Sequence, residues 1–374
     1  MVTVGRKRIK FSVKWATSIL LSIVLTGCSS VTPAKKPEIL YRPISFQNID
    51  MFSLTDGWAV GQELHLWRTV DGGRVWRKVE SPKVMYDTFT SARDAWFLTE
   101  PGYNTVALYN TADGGRIWHR RVMHVLTGGI CRFSFISPRV GWLMIGGPAA
   151  MGEQPQHLFF TDDGGQQWKL ISYNPNGTIY WMSFFSQKTG FYIGGYSNQR
   201  YGSLHVTRDG GRTWAESHFL GGRFPMISAA EGIAYRVWRA PARISDQSGV
   251  LPVTVGSGSG LWITANGGRT WAHSMLFSKS TGFSSCFFTP KRGYLLLSSS
   301  HKLSLYDTAN GGEHWHLQWE RTIHVPGGYT AQVNFVDPEQ GWMNVYENTR
   351  TLMYATRDGG KTWTSIPAKS EITK

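Results

Sequence analysis

Apolar and polar residues alternate in short runs along most of the chain, and clusters of Gly, Asp, Asn and Pro separate the runs. In the first complete unit the runs are Ile49–Thr55, Trp58–Gly61, Leu64–Thr69 and Val75–Val79. Period-two runs bounded by turn residues predict strands, here four of them in one antiparallel sheet. The unit then recurs. Its plainest mark is Thr-x-(Asp/Asn)-Gly-Gly-x-x-Trp, which begins at Thr69, Thr111, Thr161, Thr207, Thr264, Thr308 and Thr356. The copies end at Trp76, Trp118, Trp168, Trp214, Trp271, Trp315 and Trp363. Successive starts lie 42, 50, 46, 57, 44 and 48 residues apart, a period that fits four-stranded propeller blades. The expected fold is all-β: a seven-bladed β-propeller of four-stranded antiparallel blades over residues 44–367, with 368–374 as a tail.

Each residue type in the motif has a physical reason. The side chain of Asp71, Asp113, Asp163, Asp209, Asn266, Asn310 or Asp358 can accept backbone N–H groups and close an Asx-type turn. Gly-Gly supplies the positive φ of a tight hairpin, and the Trp opens the next strand with a large packing face. Asn serves such a turn as well as Asp, so these residues read as structural staples and not as carboxylate chemistry. A second register lies upstream, a Gly-aromatic step at Gly57-Trp58, Gly141-Trp142, Gly190-Phe191, Gly293-Tyr294 and Gly341-Trp342. Ala95-Trp96 takes this place in the second unit, and Gly232-Ile233 in the fifth.

The N-terminus is a different kind of sequence. Residues 1–27 pair a basic start with a short apolar run, the form of an export signal, and the run is too short to span a bilayer comfortably. Leu25-Thr26-Gly27-Cys28 resembles the bacterial lipobox, which implies acylation of the Cys28 thiol. Residues 28–43 then read as a lipidated N-terminus and flexible tether. Acyl chains are sufficient for stable anchoring, so the expected location is the outer face of the cytoplasmic membrane, or the periplasm where an outer membrane exists. Five of the +14 formal charges (Arg6, Lys7, Arg8, Lys10 and Lys14) fall in this leader, which leaves +9 from Cys28 onward. A basic exported surface suits anionic lipid, an acidic protein segment or a wall polymer. No nucleic-acid-binding motif is present. Charged residues are 17 % and hydrophobic ones 41 % of the 374, so a packed core is expected and disorder is not. Cys131 and Cys286 open what read as equivalent strands of repeats three and six. That is too far apart across a ring for a disulfide, and two separate buried thiols are expected.

The boxes resemble those of the Asp-box, or BNR-repeat, propellers, a group that includes bacterial sialidases, sortilin-type receptors, xyloglucanases and photosystem II assembly factors. In layout the chain is most similar to the assembly-factor type, with one exported propeller and a box in every blade. The resemblance implies a non-catalytic scaffold that holds a protein partner, with no cofactor. Ligands of such folds sit on the face opposite the boxes, where connecting loops vary freely on a rigid frame. The interval from step to box is longest in the fifth unit, so the segment from Arg236 to about Gly258 reads as an insertion between its second and third strands. It concentrates Arg236, Trp238, Arg239 and Arg243, residue types enriched at binding hot spots. Arg200 and Arg223 are placed on the same face, with Tyr201, Tyr103 and His324 nearby. A rival surface is the box rim, where the residue after Gly-Gly is basic in five repeats: Arg74, Arg116, Arg212, Arg269 and Lys361.

The enzymatic alternative is a sialidase-like glycoside hydrolase, and a polysaccharide-binding propeller is the other. A glycosidase needs two carboxylates flanking the scissile bond. Asp87, Glu100, Glu153, Asp246, Glu320 and Glu347 are expected at the loop face, and none forms a recognisable sequence pair, so no catalytic residue is assigned. His314 and His316 alternate on one strand without a third ligand near them, and no metal site is assigned.

Overall fold

The computed structural model describes residues 39–99, 102, 104–128, 130–148, 154–174, 178–195, 203–217, 235–237, 240–255, 258–278, 282–299, 301–322, 330–346 and 351–373. Every regular element among them is a strand, and the strands form seven sheets. The chain is a seven-bladed, all-β propeller. In the first blade Phe46–Met51, Gly57–Gly61, Leu66–Thr69 and Val75–Lys78 follow one another from the inner to the outer edge. The remaining blades span residues 86–124, 131–174, 178–216, 235–278, 282–322 and 330–366. First strands touch first strands: Cys131–Phe135 of blade three meets Tyr86–Phe89 of blade two and Thr178–Phe184 of blade four. They therefore line the centre of the ring.

The box joins the third and fourth strands, as its residue types require. In blade two the Thr111 hydroxyl donates to Asp113 Oδ1 at 2.8 Å and accepts the Gly115 N–H at 3.1 Å. The same Oδ1 accepts the N–H groups of Arg116 and Ile117, each at 3.0 Å. Both glycines of every box lie in the left-handed region, with φ from 67° at Gly267 to 99° at Gly211, where a Cβ would be strained. Asn keeps the arrangement. Asn266 Oδ1 accepts the Thr270 N–H at 2.9 Å while its Nδ2 donates to the Thr270 hydroxyl. In Asp358 that second interaction runs the other way, with the Thr362 hydroxyl donating to Oδ2 at 2.6 Å.

A second staple was not read from the sequence. Ahead of each step, the turn between strands one and two carries Ser53, Ser91, Ser137, Ser186, Ser245, Thr289 or Asp337, whose side-chain oxygen accepts an N–H three residues on. A carbonyl of that turn accepts the N–H of the first box glycine in all seven blades, from Gly72 to Thr55 through Gly359 to Glu339. Turn and box are thus one hydrogen-bonded unit on a single face.

Blades are joined by aromatic stacking. The step aromatic of one blade lies against the last first-strand Phe of the next: Trp58 on Phe89, Trp96 on Phe135, Trp142 on Phe184 and Tyr294 on Phe335. Trp96, Trp142 and Trp342 each also donate their indole N–H to the first glycine carbonyl of the next box, at 3.0, 3.0 and 3.2 Å. The last of these, Trp342 to Gly72, closes the ring, with Phe46 N–H on Thr351 Oγ1 at 2.8 Å.

The sheet extends beyond the bounds read from the sequence at both ends. Lys369–Thr373 runs parallel to the outer strand of blade one, and Ile39–Pro43 covers it antiparallel. The first and last described strands thus pair with one another on the blade that closes the ring.

Blade five differs from expectation. Its second strand is Gly249–Val255 and its third is Gly258–Thr264, so no long insertion separates them. Gly249 pairs with Thr264 as Gly141 pairs with Thr161, which makes Gly249-Val250 the true step in place of Gly232-Ile233. Arg236 and Arg243 fall instead in the two pieces of its first strand, Tyr235–Val237 and Ala242–Arg243.

Candidate functional site

The box face carries most of its chemistry inward. The residues after Gly-Gly are exposed in all seven blades, but Arg74 and Arg212 donate to the carbonyls of Asp71 and Asp209 in their own turns. Arg208 reaches the Gly267 carbonyl of the next blade, and Arg68 reaches that of Gly114 at 2.7 Å. The carboxylates are equally committed: the Thr362 hydroxyl and then the Thr362 N–H hold Asp358 down to about 2. Two grooves of about 500 and 530 Å³ flank blade seven on this face and share Arg357 and Asp358, so acid and base line them together.

The opposite mouth of the ring is different. The first strand of each blade starts there: Cys131 pairs with Ile145 far from the box, whereas Phe135 pairs with Gly141 beside it. Arg132 sits at that far end, on blade three. Its guanidinium lies 4.6 Å from the Trp181 ring of blade four and 5.6 Å from the Tyr86 ring of blade two. Arg132 Nε donates to the Tyr180 carbonyl at 3.0 Å and Nη1 to the Cys131 carbonyl at 2.7 Å. Tyr180 is available for this because a β-bulge between Ile179 and Trp181 takes it out of the ladder. Bulges re-aim side chains, and here Tyr180 and Trp181 are 38 % and 37 % exposed, with Met85 beside Tyr86 at 39 %. Among the described residues no carboxylate lies within ion-pairing distance of Arg132. Burial pulls its pKa below the ordinary arginine value, against the pull of Tyr86 and Cys131, yet a guanidinium stays protonated. The result is an oriented, partly desolvated cation between two rings. Sequence reading missed it because neither a bulge nor a cross-blade stack has a local signature.

A pair of carboxylates was also missed. Asp50 of blade one and Asp87 of blade two are half-buried on adjacent first strands. Burial pushes Asp87 up to about 7, with the charge of Asp50 adding to it. Burial likewise pushes Asp50 up to about 6, although Asn48 Nδ2, 2.8 Å away, works against the rise. Tyr346 feels Asp50 as well, its phenol raised first by burial and then by that charge.

The residues singled out from the sequence scatter. Arg236 lies at the far end of the blade-five first strand, paired with Thr254. Arg243 pairs with Gly249 beside the box, donating to the Phe185 carbonyl at 2.8 Å and to Asp246 at 2.7 Å. It is therefore on the box side and not on the loop face, and so is Asp246, which lies in the turn between strands one and two. Glu320 is an outer-strand residue bridged to Lys302 at 2.9 Å. Cys28, Arg200, Arg223, Trp238 and Arg239 lie outside the described residues, as do Glu100, Tyr103, Glu153, Tyr201, His324 and Glu347. Cys131 is buried and Cys286 half-buried, both as free thiols. They are not at equivalent positions, since Cys131 opens its strand and Cys286 stands one residue from the end of Gly282–Phe287. Burial pushes the Cys131 thiol up to about 12, which suits packing and not nucleophilic attack. His314 Nδ1 contacts Asn310 Nδ2 inside a box. Among the described residues no cluster of three or more His, Cys, Asp or Glu could hold a metal, and no helix is long and apolar enough to cross a membrane.

No protein-family model matches the sequence, and no curated protein matches it. Solved structures do. The chain is similar to YCF48 from Cyanidioschyzon merolae at 17 % identity, over 85 % of this chain and 98 % of that one, with a TM-score of 0.52. It is similar to a PL25 polysaccharide lyase, an ulvan lyase, at 9 % identity over 89 % and 94 % of the two chains, with a TM-score of 0.50. One of two prolyl endopeptidases matches at 9 % identity over 89 % of this chain and 51 % of that one, with a TM-score of 0.55. Among the structures that share this seven-bladed fold is YCF48, in keeping with the assembly-factor layout that the boxes resemble.

Proposed function

We propose that this chain is a non-catalytic scaffold that holds a protein partner on the propeller face opposite the boxes. The observation that carries the reading is the blade-four bulge, which lays Tyr180 and Trp181 open beside Arg132. Trp, Tyr and Arg are the residue types that most often anchor interfaces, where they are held in place before binding. The box face supports the reading by contrast, because Arg68, Arg74, Arg208, Arg212 and the box carboxylates hydrogen-bond within the fold. In this reading Cys28 carries the lipid that keeps the propeller on the outer face of the membrane.

Replacing Tyr180 and Trp181 together with Ala is expected to lower capture of the principal membrane partner at least tenfold. The melting temperature should fall less than for a core aromatic, because Tyr180 and Trp181 are 38 % and 37 % exposed. Undiminished capture by a folded double variant would refute the reading. A second reading, a propeller that cleaves polysaccharide, is favoured by one observation: Asp87 lies on the strand next to that of Asp50, and burial and then that charge push it up to about 7, the direction a general acid needs. Steady turnover of a polysaccharide by the purified chain would favour that reading over a scaffold.

A further inference from the structure

Arg132 is built for one kind of charge. Its Nε and one Nη1 hydrogen are used on the carbonyls of Tyr180 and Cys131. The unused donors are those on Nη2 and the second hydrogen of Nη1, the edge of the fork that meets both oxygens of a carboxylate in parallel. Aromatic rings, Trp181 and Tyr86, wall the guanidinium on both sides. Tyr180 and Trp181, 38 % and 37 % exposed, flank the guanidinium, a surround that suits an anion carried on an apolar or aromatic group. No second cation acts on Arg132 among the described groups. Phosphate and sulfate, with their greater charge and number of oxygens, ordinarily draw several donors, whereas one guanidinium balances one carboxylate.

We infer that Arg132, Tyr86, Trp181 and the bulged Tyr180 form a subsite for the C-terminal carboxylate of a peptide that ends in an apolar residue. The inference rests on the binding reading above and adds the chemistry of the ligand. The two carbonyls fix the plane of the guanidinium and the rings cover part of it, so a carboxylate arriving there completes a charge-assisted pair that the free protein lacks.

The test uses a fluorescein-labelled heptapeptide ending in Leu-Phe, as the free acid and as the carboxamide, titrated onto the mature chain by fluorescence anisotropy. The free acid is expected to bind at least tenfold tighter than the amide. Arg132→Gln should bring the acid down to the affinity of the amide. Arg132→Lys, which keeps the charge and loses the fork, should forfeit most of the difference as well. Equal binding of acid and amide to the wild type would overturn the inference, and so would an unchanged acid-to-amide ratio in both Arg132 variants. Displacement of the peptide by free glucuronate as effectively as by unlabelled peptide would also overturn it, by assigning the site to an acidic glycan. The two readings fail differently. If the Tyr180 and Trp181 substitutions abolish partner capture while acid and amide bind alike, the face is right and the carboxylate is wrong. If those substitutions leave capture intact, the face itself is wrong.

Discussion

Trp142→Ala is expected to destabilise the propeller by about 3–5 kcal/mol, the range for removing a large aromatic from a core. Trp142 is fully buried. Its ring lies 3.7 Å from Phe184 of the next blade, with the two planes parallel to within 1°, and Phe160 packs on it at 5.2 Å. Ala would leave a cavity between two blades at once. It would also strip the Gly210 carbonyl of the indole N–H that reaches it at 3.0 Å, and an unpaired buried acceptor costs roughly 1–3 kcal/mol. Trp142→Phe separates much of the two contributions, since it keeps a stacking ring while losing the donor and the smaller part of the ring volume. Urea denaturation of the three proteins should rank wild type, Phe and Ala in that order, with the larger step between Phe and Ala. A loss below about 1 kcal/mol for Ala would mean that the blades are not joined through these stacks.

Asp87→Asn is expected to act in the opposite direction. An unfolded Asp titrates near 3.9, whereas Asp87 in the fold is raised to about 7 by burial and then by Asp50. Between those values the folded chain holds a proton that the unfolded chain has released. Stability contributed by this group is therefore full below about pH 4, falls as the pH rises through the window, and stays reduced above about pH 7. Asn cannot ionise, so the variant should escape that loss. At pH 8 it should be more stable than the wild type, by on the order of 2–4 kcal/mol at the conversion of 1.36 kcal/mol per unit, and at pH 4 the two should nearly coincide. Asp50 remains in the variant and keeps its own pH dependence. Thermal melts at pH 4, 6 and 8 read the effect, and equal melting temperatures at pH 8 would show that Asp87 ionises freely.

The ring was legible in the sequence because its determinants are local. Gly-Gly and the Asp or Asn ahead of it act within a single turn, so a one-dimensional pattern records them. Blade five shows where that stops. Its step is Gly249-Val250, which lacks the aromatic, and the residue paired with that glycine is Arg243 and not a Phe, so Gly232-Ile233 took its place in the sequence pattern. The correct signal was present one motif over. Ser245 stands four residues before Gly249 as Ser137 stands before Gly141, and its Oγ accepts the Ser248 N–H at 3.0 Å as Ser137 Oγ accepts that of Val140 at 3.1 Å. The candidate site was not legible. Arg132, Tyr86 and Trp181 come from three blades and meet only when the ring closes, and the bulge that exposes Tyr180 is a pairing event between strands. The sequence concentrated arginine near residues 236–243, but Arg243 there serves Asp246 and the Phe185 carbonyl within the fold.

The central claim, that a partner is held at the mouth opposite the boxes, is tested most directly by photocross-linking. A benzophenone amino acid is placed at Tyr180 in one chain and at Arg116, an exposed box position, in another. Both chains are then irradiated in membranes that contain the anchored protein. The account expects one dominant protein adduct from position 180 and none from position 116. An adduct formed at 116 and absent at 180 would contradict it and move the binding surface to the box rim.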